Sequence, residues 1–291
     1  MADIASRAIT AYNATHPASS SPTRGLIALA WDQRNHGSRT VPGAEKVNGA
    51  WREGNERHAQ DMFGVIAGMV ADQKGLMDAL GSYLFHDEGG RRSIDGHLCL
   101  GISLGGHSVW QTLFAEERMR AGVVVIGCPD FEYLMRDRAR LSKLPTYSHD
   151  DDGASFTNSK DFPAALVEWV KKLDPKGILF GTDPVPAPGT TSQAEQKRLR
   201  AVLDERLRAK KILVTSGGDD KLVPYKCSKP FLDWFKDAIS TWYADGGVVV
   251  EDKVYPGVGH TFSTEMVRDA VRFIVDVVGT WDNDEHVASK I

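Results

Sequence analysis

Three cysteines in 291 residues are too few, and too scattered, to make a disulfide framework or a metal site. Cys99 and Cys128 lie in strongly apolar runs, where a thiol acts as a small core side chain, which points to a reducing compartment, the cytoplasm. No stretch approaches the roughly 18 consecutive apolar residues of a membrane span. The N-terminal stretch has no apolar core of signal-peptide type, so the sequon Asn13-Ala14-Thr15 carries no weight. Neither sign of charge dominates: 35 basic against 39 acidic residues, interspersed, give a net charge of −4. That leaves no basic face for nucleic acid and no case for an anionic membrane surface. Internal repeats and low-complexity segments are also lacking. What remains is an ordinary globular composition, 42% hydrophobic and 25% charged, long enough for one large α/β core or two small ones.

The hydrophobic pattern alternates between two periods. Residues 2–15 have helical spacing and are followed by a Pro/Ser-rich loop through Pro22. Leu26–Trp31 is a short continuous apolar run, which predicts a strand buried on both faces. After a polar loop over 40–53, a long helix is expected from about Glu56 to Phe85, continuing or breaking near Gly75. Strand Ile94–Gly101, helix Ser103–Glu117 and strand Ala121–Gly127 then form a βαβ unit. About 80 residues without a strand signal follow, Cys128 to Ala209, with two expected helices, one opening at Asp161-Phe162-Pro163 and one over Gln193–Leu207. Alternation resumes with strand Ile212–Thr215, helix Phe231–Trp242, strand Val248–Tyr255 and helix Thr264–Val278, ahead of a polar tail from Trp281 expected to fray. The pattern implies an α/β fold with a mostly parallel sheet covered by helices on both faces. Residues 1–291 read as one domain carrying a helical cap insertion over about 129–209.

The chemistry concentrates at Gly101-Ile102-Ser103-Leu104-Gly105. An apolar strand stops at Gly101 and an amphipathic helix begins just after it, so Ser103 sits at the tip of a strand–turn–helix. Glycines on either side allow a turn in which a Cβ would clash. The Leu104 N–H, at the new helix N-terminus, is aimed at any oxyanion formed beside the serine.

A serine hydroxyl is a poor nucleophile at neutral pH and needs a histidine base held by a buried carboxylate. On an open parallel sheet these groups belong on loops at the strands' C-terminal edge. Strand Ile212–Thr215 runs into Ser216-Gly217-Gly218-Asp219-Asp220, and strand Val248–Tyr255 into Pro256-Gly257-Val258-Gly259-His260. The order Ser103, acid, His260 is nucleophile, acid, base. Asp220 is the candidate acid and Asp219 the runner-up, since spacing alone does not separate the two neighbours. His36, His86, His97 and His107 read as packing or hydrogen-bonding residues.

These segments resemble the α/β-hydrolase family: Gly101-Ile102-Ser103-Leu104-Gly105-Gly106-His107, Asp220-Lys221-Leu222-Val223-Pro224 and Gly259-His260. A fourth match is Asp32-Gln33-Arg34-Asn35-His36-Gly37, similar to the family's Asp-x-Arg-x-His-Gly segment. The resemblance implies Ser103 as nucleophile, Asp220 as acid through the Asp-x-x-Val-Pro spacing, and His260 as base. Among subgroups it is closest to the dienelactone-hydrolase and prolyl-oligopeptidase-like esterases, with serine where dienelactone hydrolases proper have cysteine. With no apolar strand ahead of Leu26, it also implies a sheet lacking the family's first three strands and the loop that donates a second oxyanion N–H.

The expectation is therefore a serine hydrolase cleaving small-molecule esters of short or medium acyl chain through an acyl-enzyme on Ser103. No metal or organic cofactor, nucleic acid or membrane partner is implied. The rivals are a peptidase using the same three residues and a non-catalytic binding protein of the same fold.

Overall fold

The computed structural model describes residues 2–16, 24–89 and 91–288. In chain order the elements are α1 (Ala2–Thr15), α2 (His58–Leu84), β1 (His97–Ile102), α3 (Leu104–Ala115), β2 (Met119–Val125) and α4 (Phe131–Leu141). Then come α5 (Ala164–Leu173), α6 (Pro175–Phe180), α7 (Gln193–Arg206), β3 (Lys211–Gly217), α8 (Tyr225–Ser240), β4 (Val249–Tyr255) and α9 (Thr264–Ala288). The chain divides into two compact units: residues 1–32 with 262–291, and Gln33–Thr261.

In the first unit α1 packs against α9. Ala8 and Tyr12 on α1, and Met266, Ala270, Phe273 and Val277 on α9, recur every three or four residues and are buried. The Tyr12 hydroxyl donates to the Arg24 carbonyl at 3.2 Å, and the Arg24 guanidinium lies over the Trp281 ring. The strand expected at Leu26–Trp31 is not formed. These residues have no regular secondary structure, and Ile27 and Leu29 are 56% and 50% exposed. A strand is held by the N–H and C=O groups of a neighbour, and among the described residues none pairs with this segment. The expected Pro/Ser-rich loop falls mostly on residues 17–23, outside those described. The tail expected to fray is helical through Ala288, with residues 289–291 outside those described.

The second unit is built on a parallel sheet of order β1-β2-β3-β4. An α/β fold with a parallel sheet is thus what the alternation of apolar runs predicts and what forms. Six of the seven residues of both β2 and β3 are buried, as their continuous apolar sequences require. Edge strand β4 leaves Val249 and Val254 partly exposed. One hydrophobic core joins the sheet to α3, α7 and α8 through Trp110, Leu113, Ile212, Val214, Phe231 and Trp234. Helix α2 runs unbroken through Gly75, where nothing crowds the backbone and an exposed glycine costs only about 1 kcal/mol.

A second core lies between α2 and the segment inserted after β2. It contains Met62, Phe63, Ile66, Phe131, Phe156 and Phe162. The insertion holds four α-helices where two were expected: α5 and α7 match the expectation, α4 and α6 do not. Asp130 caps α4 by accepting from the Tyr133 N–H at 2.9 Å, and Asp174 caps α6, with Pro175 at its first position. Three arginines break up the polar-rich sequence of α4, and α6 is only six residues long. The arginines mask the apolar stripe of α4, and α6 is too short to show one.

Candidate active site

Strand β1 enters a turn at Ser103, whose φ of 56° and ψ of −114° lie outside the ordinary regions for a residue with a Cβ. Two backbone bonds hold it there: the Ser103 N–H donates to the Val125 carbonyl at 2.9 Å, and the His107 N–H donates to the Ser103 carbonyl at 3.0 Å. A Cβ on Gly101 would run into the Gly105 carbonyl, so only glycine fits. The same does not hold at Gly105, where a Cβ would meet only Gln33 Nε2 at 3.6 Å. The second steric requirement falls one residue later, at Gly106, 2.6 Å from the Val125 carbonyl oxygen. This corrects the expectation of a clash at both flanking glycines. Leu104 is the first residue of α3, so its N–H has no acceptor one turn back, and its side chain packs against the second core.

The loops after β3 and β4 are stitched together. The Gly218 N–H donates to the Tyr255 carbonyl at 2.8 Å and the Asp219 N–H to the Val258 carbonyl at 2.9 Å. A Cβ on Gly217 would strike the carbonyls of Val258 and Gly259 at 2.5 Å, so glycine here permits the close approach. The stitching brings Asp220 Oδ2 to 2.8 Å from His260 Nδ1, while His260 Nε2 reaches 2.9 Å from Ser103 Oγ. The three residues singled out by sequence therefore meet in one hydrogen-bonded row.

The two candidate acids separate cleanly. Asp219 is exposed; the Asp220 side chain is fully buried, and its Oδ1 accepts from the N–H groups of Leu222 at 2.8 Å and Val223 at 2.9 Å. Burial alone pushes the Asp220 carboxyl up, but the bonds from His260, Val223 and Leu222 outweigh it and hold it below the usual carboxylate range. Asp220 is thus an anion pointed at the Nδ1 edge of His260. That edge must carry the proton, which leaves Nε2 free to accept from the serine hydroxyl.

His107, one turn beyond Ser103, is buried with Nδ1 at 3.0 Å from the Cys128 backbone, as a packing histidine should be. Burial pushes it down to about 4. Sequence reasoning missed His58 and Arg138. They lie 80 residues apart, and the Arg138 guanidinium donates to His58 Nε2 at 3.0 Å and to the Leu222 carbonyl at 2.9 Å. No local pattern marks such a pair.

No family model matches the chain, and no curated protein does. Among solved structures it is similar to a variant of SOBER1 from Arabidopsis thaliana, at 15% identity and a TM-score of 0.37, over 72% of this chain and 63% of that one. It is also similar to puromycin hydrolase, at 18% identity and a TM-score of 0.39, over 69% of this chain and 24% of that one. Esterase PE8 is a third, at 15% identity and a TM-score of 0.35, over 73% of this chain and 63% of that one. The chain spans less than two thirds of the length of each of these proteins. Among the described residues no helix is long and apolar enough to cross a membrane.

Proposed function

We propose that the protein is a serine hydrolase that cleaves carboxylic esters of short or medium acyl chain through an acyl-enzyme on Ser103. The observation that carries this reading is the row Asp220–His260–Ser103, with links of 2.8 and 2.9 Å at the C-terminal edge of a parallel sheet. His260 Nε2 takes the hydroxyl proton as Ser103 Oγ bonds to the ester carbonyl carbon. The carbonyl oxygen becomes the oxyanion and is met by the Leu104 N–H. The C–O bond to the leaving alcohol breaks as the imidazolium returns its proton to that oxygen. A water, deprotonated by His260, then attacks the acyl-enzyme, and the acid leaves with Ser103 restored. Asp220 keeps His260 in the working tautomer and balances the imidazolium charge without taking the proton itself.

The preference for small acyl groups is supported by the filled interior of the insertion. Phe131, Phe156 and Phe162 are at most 1% exposed and pack on one another, so they leave no room for a long chain among them.

A fluorophosphonate probe tests the reading, because it bonds only to an activated serine. Labelling is expected at Ser103 in the parent and absent in Ser103→Ala, together with loss of p-nitrophenyl acetate hydrolysis. A parent that is not labelled, or a Ser103→Ala variant that hydrolyses at the parent rate, overturns it.

A further inference from the structure

Arg138 stands apart from the other basic residues of α4. Arg140 pairs with Asp137, and the Arg136 guanidinium lies over the Tyr133 ring. Arg138 turns inward, and among the described residues no carboxylate lies within ion-pair distance of it. Its Nη1 donates to His58 Nε2 at 3.0 Å and lies 3.1 Å from the Met62 sulfur, while Nη2 donates to the Leu222 carbonyl at 2.9 Å. The guanidinium is half-buried; burial disfavours its charge, while the Asp220 and Asp137 carboxylates favour it across a longer distance, so its direct partners are the neutral acceptors on His58 and Leu222.

The acceptor side is equally fixed. His58 Nδ1 lies 2.9 Å from the Gly49 carbonyl, which can only accept, so Nδ1 carries the ring proton and Nε2 presents a lone pair to Arg138. Burial and the neighbouring guanidinium push His58 down to about 4, which keeps it neutral and accepting near neutral pH.

The other end of the fork is the acid loop. Leu222 is 51% exposed, so its side chain does not anchor it. In the Leu222–Val223 peptide the Leu222 carbonyl accepts from Arg138, and the Val223 N–H donates to Asp220 Oδ1 at 2.9 Å. One peptide therefore links the guanidinium to the carboxylate. Resting on the proposed function, we infer that Arg138 is a positioning residue: with His58 it clamps the Leu222 peptide and so fixes the Asp220 carboxylate against His260. On this reading α4 of the insertion and the start of α2 form part of the catalytic support.

The test is a double-mutant cycle with an independent spectroscopic arm, in which melting temperature confirms that each variant folds. Arg138→Met should lower kcat for p-nitrophenyl acetate about 10- to 100-fold, in line with the cost of a small misplacement of catalytic groups, and leave KM within about threefold. Arg138→Lys, which can still reach the carbonyl, should recover most of the loss. Exogenous ethylguanidinium should restore activity to Arg138→Ala and leave the parent unchanged. In an Asp220→Asn background Arg138→Met should cost less than about twofold, because the two act as one unit. The second arm needs no turnover: the downfield proton resonance of His260 Nδ1–H should persist in Ser103→Ala and in Arg138→Lys, but broaden or vanish in Arg138→Met. Additive losses, a change confined to KM, or an unaltered His260 resonance in Arg138→Met would overturn the clamp. A parent with no hydrolytic activity would overturn the serine-hydrolase reading instead, and the resonance would still decide the clamp.

Discussion

Gly106 on α3 lies directly against Gly127, just past β2: a Cβ on Gly106 would sit 3.0 Å from the Gly127 Cα and 2.6 Å from the Val125 carbonyl oxygen. The helix that starts at Ser103 is thus pressed onto the neighbouring strand's end, and Val125 accepts the Ser103 N–H in the same contact. Gly106→Ala should separate the two and destabilise the fold by about 1–3 kcal/mol, the usual cost of forcing a methyl into a packed site. Gly105→Ala meets only an ordinary contact and should be neutral or slightly stabilising, since alanine is the better helix former by about 1 kcal/mol. Urea unfolding of the two variants checks the contrast. Equal stabilities would mean that the backbone approach at Gly106 is not as close as described.

Asp220→Asn should lower kcat for ester hydrolysis by about 10⁴-fold, because an amide in place of the carboxylate favours the wrong imidazole tautomer. Asp219→Asn should change it by less than about twofold: that side chain is exposed, and the loop is stitched there through the Asp219 backbone N–H. Steady-state kinetics on both variants decide between the neighbours, and comparable losses would undo the assignment.

His107 is held neutral by burial, pushed down to about 4 from an ordinary 6.5. The unfolded chain therefore binds a proton between these values that the folded chain does not, so stability from this group is fully present above pH 6.5 and is lost as pH falls towards 4. Between pH 7 and 5 the loss should be about 1–2 kcal/mol. His58 adds a loss of the same sign, while Asp130, pushed up to about 6 chiefly by burial, acts in the opposite sense over part of the range. His107→Gln can still bond to the Cys128 backbone but does not titrate. Its unfolding free energy should fall about 1–2 kcal/mol less than the parent's between pH 7 and 5. An identical pH dependence would mean that His107 is charged in the folded protein.

The strands of the sheet are legible because a strand buried on both faces must be apolar throughout, as Val123-Val124-Val125 and Ile212-Leu213-Val214 are. Leu26–Trp31 carries the same signal without forming a strand, since pairing depends on a neighbour that the segment itself does not encode. Helix α4 had a readable stripe at Phe131, Leu134, Met135 and Ala139, with Asp130 ahead of it as a cap, but its three arginines hid the pattern. Ser103, Asp220 and His260 were legible because each follows a strand end, where a parallel sheet gathers its loops. His58 and Arg138 were not, because their meeting depends on how α4 settles on α2.

Phe131, Leu134, Trp169 and Phe180 are large apolar residues of the insertion. The structure buries three of them and leaves Trp169 39% exposed, with its ring at 5.0 Å from that of Phe63. Phe131→Ala should act through packing, destabilising the protein by about 3–5 kcal/mol. Trp169→Ala loses less buried surface and should cost less stability. Acyl selectivity is read separately, from kcat/KM of the parent across acetyl to palmitoyl esters. Each methylene gained or lost in a matching pocket changes discrimination by up to about 1–3 kcal/mol, enough for the profile to move visibly. In the parent the optimum should lie at a short or medium chain, because the aromatic interior of the insertion is already filled. A parent optimum at palmitoyl would require a cavity that Phe131, Phe156 and Phe162 do not leave open, and would replace the esterase reading with that of a long-chain lipase.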